Sequence, residues 1–164
     1  MKSLFPLIAF LSLSILFGAT APQYSVINVP VPPTKFKNYQ IDGLTFLPNG
    51  KLVVCLPSGE IFFRDLKTEK WELFAEGLHN PLGVIALSNA ELIVTQRPEL
   101  TRVRDLDGDG KADDFEVITD DFGMSGNYHE FNFTPVLDQK GNYFFALGTG
   151  SKGDGVRTIT RGTF

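Results

Sequence analysis

The side chains best suited to chemistry are a run of acids between residues 105 and 116. Their spacing fits the pattern D-x-[DN]-x-[DN]-G-x5-E of a calcium-binding loop at every specified position. Calcium takes about six to eight oxygen ligands, and acids at alternate positions can turn their oxygens toward one centre. The predicted ligands are Asp105, Asp107, Asp109, the carbonyl of Lys111, Asp113 and Glu116. An acidic, solvated turn without a metal is the alternative interpretation.

The segments on both sides of this loop are typical of β-strands. Residues 91–104 contain several β-branched residues and Pro98, and residues 115–119 are also strand-like. An EF-hand requires an amphipathic helix on each side of its loop, so this class of calcium protein is not predicted. The loop is predicted to join two strands, and its metal would stiffen the connection without acting as a calcium sensor.

Composition and charge narrow the possible functions. The chain has 164 residues, of which 43% are hydrophobic and 21% charged, and its formal net charge is −4. This suits one globular unit and offers no basic patch, so nucleic acid is not a predicted partner. Cys55 is the only cysteine, which excludes an internal disulfide, and its apolar surroundings predict a buried thiol. Without a C-x-x-C-H motif the chain itself attaches no c-type haem.

The N-terminus is predicted to be an export signal. Lys2 is followed by an apolar run over residues 4–17 and by a small-residue end at Ala21. This run is shorter than the roughly twenty residues that span a bilayer. We assign residues 1–21 to a signal peptide and residues 22–38 to a Pro-rich linker. Pro22 is a poor first residue after cleavage, so a different cleavage site or an uncleaved leader that anchors the protein stays open. The predicted location is periplasmic or extracellular.

From Gln40 onward the chain repeats a pattern of short strands about every forty residues. The first unit covers residues 40–78, the second 79–122, and the third, which is incomplete, 123–164. A tight Pro-Asn-Gly turn at residues 48–50 is predicted between the first two strands. Strands are also predicted at residues 91–95 and 100–104 of the second unit, and a strand at residues 129–133 is predicted to open the third. The fold class predicted for residues 39–164 is all-β, an incomplete β-propeller of about two and a half four-stranded blades. An open β-sandwich is the alternative. We expect the chain to be the N-terminal part of a longer protein.

Several segments of this region resemble a known protein family. Residues 77–83, 95–97 and 125–131, together with the acidic loop, are similar to the N-terminal propeller of large exported planctomycete-type proteins with a membrane-bound dehydrogenase domain. Those proteins are in turn similar to the glucose/sorbosone dehydrogenases, which are propellers that use pyrroloquinoline quinone. The resemblance covers roughly residues 38–155. It implies that the full-length protein oxidises a sugar or alcohol, and it suggests a c-type haem domain as a partner in the parent protein.

The resemblance implies that His129 is catalytic, because it occupies the place of the histidine that takes the substrate's hydroxyl proton. A histidine titrates near neutral pH and can act as a base there. The family places an aspartate soon after the next Leu-Gly step, where this chain has Thr149, with Asp154 in the same glycine-rich run. Gln96 and Arg97 are predicted to face the cofactor pocket. A structural role for His129 between blades, and a loop or rim salt-bridge role for the other two, are the alternatives.

Two functions are therefore predicted from the sequence. The first is a quinone-dependent sugar or alcohol dehydrogenase of which this chain is one part, with Ca²⁺ and pyrroloquinoline quinone as cofactors. The alternative is a non-catalytic, calcium-stiffened propeller that binds a glycan or a protein partner, which Thr149 in place of the family's acid favours. The chain by itself is expected to be inactive, because two and a half blades cannot enclose a cofactor and a substrate.

Overall fold

The computed structural model describes residues 23–37, 40–122, 124, 127 and 129–148, and the backbone of residues 155–159. The predicted signal peptide, Thr149 and Asp154 lie outside the described residues. Two units are distinguished, Met1–Pro30 and Val31–Phe164. Residues 23–30 of the first have no regular secondary structure. The described part of the chain contains no helix that is long and apolar enough to cross a membrane.

The second unit is built from antiparallel sheets, which confirms the all-β prediction. The first sheet has the strand order β1-β2-β3-β4 and the second the order β5-β6-β7-β8, so each is a meander in chain order, and the third has the order β11-β10-β9. The strands are β1 Gly43–Phe46, β2 Leu52–Cys55, β3 Ile61–Arg64, β4 Trp71–Ala75, β5 Gly83–Ala86, β6 Glu91–Thr95, β7 Leu100–Arg104, β8 Asp114–Thr119, β9 Val136–Leu137, β10 Tyr143–Leu147 and β11 Gly155–Ile159.

Turn chemistry explains where the first hairpin reverses. The N–H of Gly50 donates to the carbonyl of Leu47 at 2.8 Å, and Gly50 has a φ of 86°. A residue with a Cβ adopts such an angle only at a cost, whereas glycine does not. The Pro-Asn-Gly turn between β1 and β2 that the sequence predicts is confirmed.

The first two sheets repeat each other at a spacing of about forty residues. Gly43 begins β1 and pairs with Cys55, and Gly83 begins β5 and pairs with Thr95. A Cβ built on Gly43 would lie 3.0 Å from the carbonyl oxygen of Leu82 and 3.4 Å from the Cα of Gly83. The first strands of the two sheets therefore approach each other closely at their starting ends.

Two hydrophobic clusters pack the sheets together. The larger joins the first and second sheets through residues that include Val53, Ile61, Phe63, Phe74, Val84, Leu92, Val94 and Val103. The other joins the second and third sheets through Ile93, Leu100, Phe122, Phe145 and Leu147. Because successive strand residues point to opposite faces, Leu92 and Val94 belong to the cluster shared with the first sheet, while Ile93 belongs to the cluster shared with the third. Burial on both faces explains why β6 is apolar at successive positions.

The third sheet differs from the predicted pattern at its first strand. The sequence predicts a strand at residues 129–133, but there Asn132 forms only an isolated bridge, to Leu147, and β9 begins at Val136. Pro135 lies between them and has no N–H to donate to a ladder. Regular pairing is therefore interrupted, and residues 129–133 adopt the irregular path on which the candidate site is built.

Cys55 is expected to resist thiol reagents in the folded protein. It is completely buried on β2, and burial, together with the nearby negative charge of Asp42, raises the pKa of its thiol. The thiolate is the reactive form of cysteine, so the native Cys55 thiol is both inaccessible to the reagent and un-ionised at neutral pH. Labelling with an aromatic disulfide reagent should occur in urea and not in the native state. Rapid labelling of the native protein at neutral pH would contradict the buried placement.

Candidate functional site

The acidic loop between β7 and β8 brings three carboxylates together. One oxygen from each of Asp105, Asp107 and Asp109 lies within 4.8 Å of the others. Gly108 and Gly110 have φ angles of 81° and 88°, which let the chain reverse between these acids. The loop therefore collects the first three predicted ligands at one place.

Backbone N–H groups hold these carboxylates in position. Asp105 accepts from Gly108 at 2.7 Å with one oxygen and from Gly110 at 2.9 Å with the other, and Asp109 accepts from Lys111 at 2.8 Å. Hydrogen bonds to an ionised acceptor are stronger than neutral ones. They order the loop and limit the movement of its acids.

Glu116 lies apart from this group. It is on β8 opposite Arg102, and its carboxylate is 3.1 Å from the guanidinium groups of both Arg102 and Arg104. Asp113 accepts the N–H of Leu106 at 3.0 Å. The sequence predicts Glu116 as the last metal ligand, whereas the structure places its carboxylate in an ion-pair network on the sheet.

The guanidinium of Arg102 is held from several sides, which fixes this network. Besides Glu116, it is 3.2 Å from Glu91 on β6. Burial alone would lower the pKa of Arg102, but a hydrogen bond with Tyr143 and the charges of Glu116 and Glu91 raise it. Arg102 therefore keeps its charge and keeps Glu116 on the face of the sheet.

Two other predicted site residues, Arg97 and His129, meet at Asn127. The side chain of His129 is exposed, and its backbone N–H donates to Oδ1 of Asn127 at 3.1 Å. The guanidinium of Arg97 donates to the carbonyl of Asn127 at 2.5 Å and lies over the ring of Phe131, with Cζ 6.0 Å from the centroid. Asn127 thus links the predicted base to the predicted cationic residue.

Gln96, in contrast, is used by the fold itself. It is 5% exposed, and its Oε1 accepts the N–H of His79. Its Nε2 donates to Glu99 at 3.0 Å and to Thr101 at 2.6 Å. Both amide hydrogens of Gln96 are already donated within the protein, although the residue lines a groove of about 400 Å³ beside β8. A direct bond from this amide to a cofactor would break one of these contacts.

Asn132 holds this region together, although it is not among the residues predicted from sequence. It is completely buried, and its Nδ2 donates to the carbonyls of Gln96 and Arg97 at 2.8 Å each. It therefore fastens residues 129–133 to the end of β6. A signal was present in the sequence, because a polar residue between Phe131 and Phe133 in an apolar run must find partners when it is buried.

Replacing Asn132 with alanine is expected to lower the free energy of unfolding by about 2–3 kcal/mol, because two buried carbonyls lose their donor. Asn89→Ala is the matched control. Asn89 is exposed, accepts one N–H from Asn49 at 2.9 Å, and its loss should cost about 0.5 kcal/mol. Urea unfolding of both variants measures the difference. Equal losses would contradict the fastening role of Asn132.

A protein family described as a domain of unknown function, DUF7133, matches residues 60–157 of the chain. The chain belongs to the DUF7133 family. The matched region starts just before β3 and ends within β11, so it includes the acidic loop, Gln96, Arg97 and His129. No protein of curated function matches the chain.

Two solved structures share the fold of this DUF7133 chain. One is the extracellular domain of a provisionally assigned one-component system from B. thetaiotaomicron, at 15% identity and a TM-score of 0.54, covering 79% of this chain and 16% of that one. The other, from Thermus thermophilus, is provisionally described as an oxidoreductase, a glucose dehydrogenase. It has 19% identity and a TM-score of 0.54, with 73% of this chain and 43% of that one covered. The chain thus spans less than half the length of either neighbour, and at these identities the likeness shows the fold alone.

Proposed function

We propose that this chain forms blades of a β-propeller in an exported oxidoreductase that oxidises a sugar or an alcohol. The observation that carries the proposal is the repetition of two four-stranded meanders, begun by Gly43 and Gly83 and packed face on face. Four-stranded antiparallel sheets recurring about every forty residues are typical of propeller blades. The glucose dehydrogenase-like neighbour with the same fold supports oxidoreductase chemistry.

His129 is the proposed base of this reaction. Its exposed imidazole can accept the proton of a substrate hydroxyl, and pyrroloquinoline quinone, when bound, would accept the hydride. Arg97 and His129 are both hydrogen-bonded to Asn127. The guanidinium of Arg97 would therefore supply positive charge near the oxygen that loses its proton. Gln96 contributes indirectly, by fixing the end of β6 from which Arg97 projects.

The test is a dye-reduction assay on the full-length protein that contains this chain. The protein is incubated with pyrroloquinoline quinone and Ca²⁺, then offered a panel of aldoses, polyols and primary alcohols. We expect reduction that needs both a substrate and the quinone. A folded protein that reduces no dye with any of these substrates would refute the dehydrogenase proposal.

The second candidate is a non-catalytic propeller that binds a glycan or a protein partner. Both amide hydrogens of Gln96 are donated to other residues of the protein. This predicted cofactor contact is therefore already used within the fold, which favours the non-catalytic candidate. In this case His129→Ala would leave binding unchanged, and no quinone-dependent oxidation would be found.

We also propose that the loop between β7 and β8 binds calcium and stiffens the connection between these strands. The support is the convergence of Asp105, Asp107 and Asp109, whose charges would otherwise repel one another. Glu116 is already balanced by two arginines, so the proposed site draws on the first three acids, with backbone carbonyl and water oxygens completing the set.

Calcium binding is expected in the micromolar to millimolar range. The double change Asp107→Asn and Asp109→Asn should weaken it about tenfold or more, because it keeps two ligand oxygens but removes two of the charges that attract the cation. At a free concentration of about one hundred times Kd, bound calcium should add about 2.7 kcal/mol to the free energy of unfolding. Calorimetry and thermal unfolding measure these effects. Asp120→Asn with Asp121→Asn is the control, because both acids are exposed and outside the loop.

Glu116→Gln distinguishes a calcium site that uses the carboxylate of Glu116 from one that does not. We expect it to bind calcium nearly as well as the unmodified protein, since the structure places this carboxylate with arginines. A loss comparable to that of the double variant would show that Glu116 acts as the last ligand, as its position in the sequence pattern predicts.

A further inference from the structure

A second pocket, of about 390 Å³, lies where β1 and β5 begin, away from the acidic loop. Its lining combines polar and apolar side chains. The polar ones include Asp42, Asn80 and Asn132, and the apolar ones include Phe131 and Phe133. A few converging polar groups in an apolar lining are typical of a site for a small molecule.

Asp42 stands out when the two sheets are compared. Its N–H donates to the carbonyl of Cys55 at 3.0 Å, as the N–H of Leu82 donates to Thr95 at 3.0 Å in the second sheet. Asp42 is therefore a carboxylate at the place where the repeat has a leucine. Its side chain lies partly out of water, which raises the pKa of Asp42.

Asn80 is held in an uncommon backbone conformation at the same pocket. Its φ is 54°, in the left-handed region, where residues other than glycine are infrequent and asparagine is the best tolerated. Such angles persist where the surrounding structure enforces them, and they are concentrated at ligand sites. The angle fixes the point from which the carboxamide of Asn80 projects.

Asn132 adds an acceptor that the described part of the chain does not use. Its Nδ2 is committed to the carbonyls of Gln96 and Arg97. Its Oδ1 is buried and has no hydrogen-bond partner among the described residues. A buried acceptor without a donor is costly, so a ligand hydroxyl that displaces the adjoining part of the lining and donates to Oδ1 would remove this cost.

We infer that this pocket binds a neutral, polyhydroxylated small molecule such as a hexose or a polyol. Hydroxyl groups can donate to the carboxylate of Asp42 and to Oδ1 of Asn132, and they can both donate to and accept from the carboxamide of Asn80. The rings of Phe131 and Phe133 offer apolar surface to the C–H groups of such a ligand.

The charge in the pocket lining disfavours an anionic ligand. None of its described lining residues is basic, and the carboxylate of Asp42 would repel a phosphate or carboxylate group. The guanidinium of Arg97 is outside this lining, over the ring of Phe131, and is bonded to the carbonyl of Asn127. This inference deepens the proposed function. The identification of the ligand as the substrate rests on that proposal, because His129 is two residues from Phe131, which lines the pocket.

Calorimetry on the full-length protein without quinone tests the inference. The probes are D-glucose and sorbitol, with glucose 6-phosphate as the anionic comparison. We expect saturable binding of at least one neutral probe and none of the phosphate. Asp42→Asn and Asn80→Gly should each weaken binding about tenfold or more, whereas Asp120→Asn should not change it. Glycine accepts the φ of position 80, so Asn80→Gly removes the carboxamide without strain.

The inference is overturned if neither neutral probe binds saturably, if the phosphate binds equally well, or if both variants keep full affinity. Circular dichroism verifies that each variant is folded. Failure of the proposed function alone would give a different result. The unmodified protein would then bind sugar, both variants would weaken that binding, and no dye would be reduced in the presence of quinone and calcium.

Discussion

Replacing Gly59 with alanine is expected to lower the free energy of unfolding by about 3–4 kcal/mol, the sum of backbone strain and overpacking. Gly59 ends the turn between β2 and β3 with a φ of 93°. A Cβ at this position would lie 2.2 Å from the carbonyl oxygen of Leu78 and 3.1 Å from its nitrogen. Both contacts are with backbone, which cannot move aside as a flexible side chain would.

Gly77→Ala is the matched control for this change. Gly77 has nearly the same φ, 88°, but a Cβ there would meet no atom within 4 Å. Its cost is therefore the strain alone, about 1–2 kcal/mol. Urea unfolding of both variants, followed by circular dichroism, gives the difference. Equal losses would show that the turn moves away from Leu78 and that the close contact has no energetic weight.

If the full-length protein is the proposed dehydrogenase, His129→Ala is expected to reduce its kcat/KM for the sugar or alcohol by about a hundredfold to ten-thousandfold, the usual contribution of a positioned base. Folding should be unaffected, because the imidazole of His129 is exposed. Dye-reduction kinetics measure the effect. Sugar affinity measured without quinone should change little, since the proposed ligand contacts are made by other residues.

His79→Ala is the control for the base, because His79 is the other of the two histidines. Its backbone N–H, which donates to Gln96, is retained in the variant. We expect its kcat/KM to stay within about twofold of the unmodified enzyme. Comparable losses in the two variants, or full activity in folded His129→Ala, would assign His129 a structural role.

The strands of the first two sheets could be predicted from sequence because their signals are local. The bounds predicted for Glu91–Thr95 and Leu100–Arg104 agree with β6 and β7, since runs of apolar and β-branched residues and the turns that flank them are properties of neighbouring residues. The first strand of the third sheet was wrongly placed at residues 129–133. There Pro135 interrupts the ladder, and the partner strand decides which residues pair.

At the acidic loop, the sequence pattern and the strand pairing assign different roles to the carboxylate of Glu116. The spacing of its acids selects Glu116 as a ligand, and this interpretation takes account only of position along the chain. The register of β7 and β8 sets Glu116 opposite Arg102, while Arg104 pairs with Asp114, and this register depends on pairing between strands. Ion pairing on the sheet would therefore compete with the proposed calcium ion for the carboxylate of Glu116.

The chain's local chemistry thus specifies its strands, its turns and the acids of its loop, because alternation, glycine conformation and residue spacing act over a few positions. Which distant groups meet is decided by tertiary structure alone. Asp42, Asn80 and Asn132 come from three separate segments, and they line one pocket because Gly43 lets β1 approach β5 closely and Asn132 fastens its segment to the end of β6. Long-range packing of this kind leaves no periodic trace in the sequence, so only the folded chain shows it.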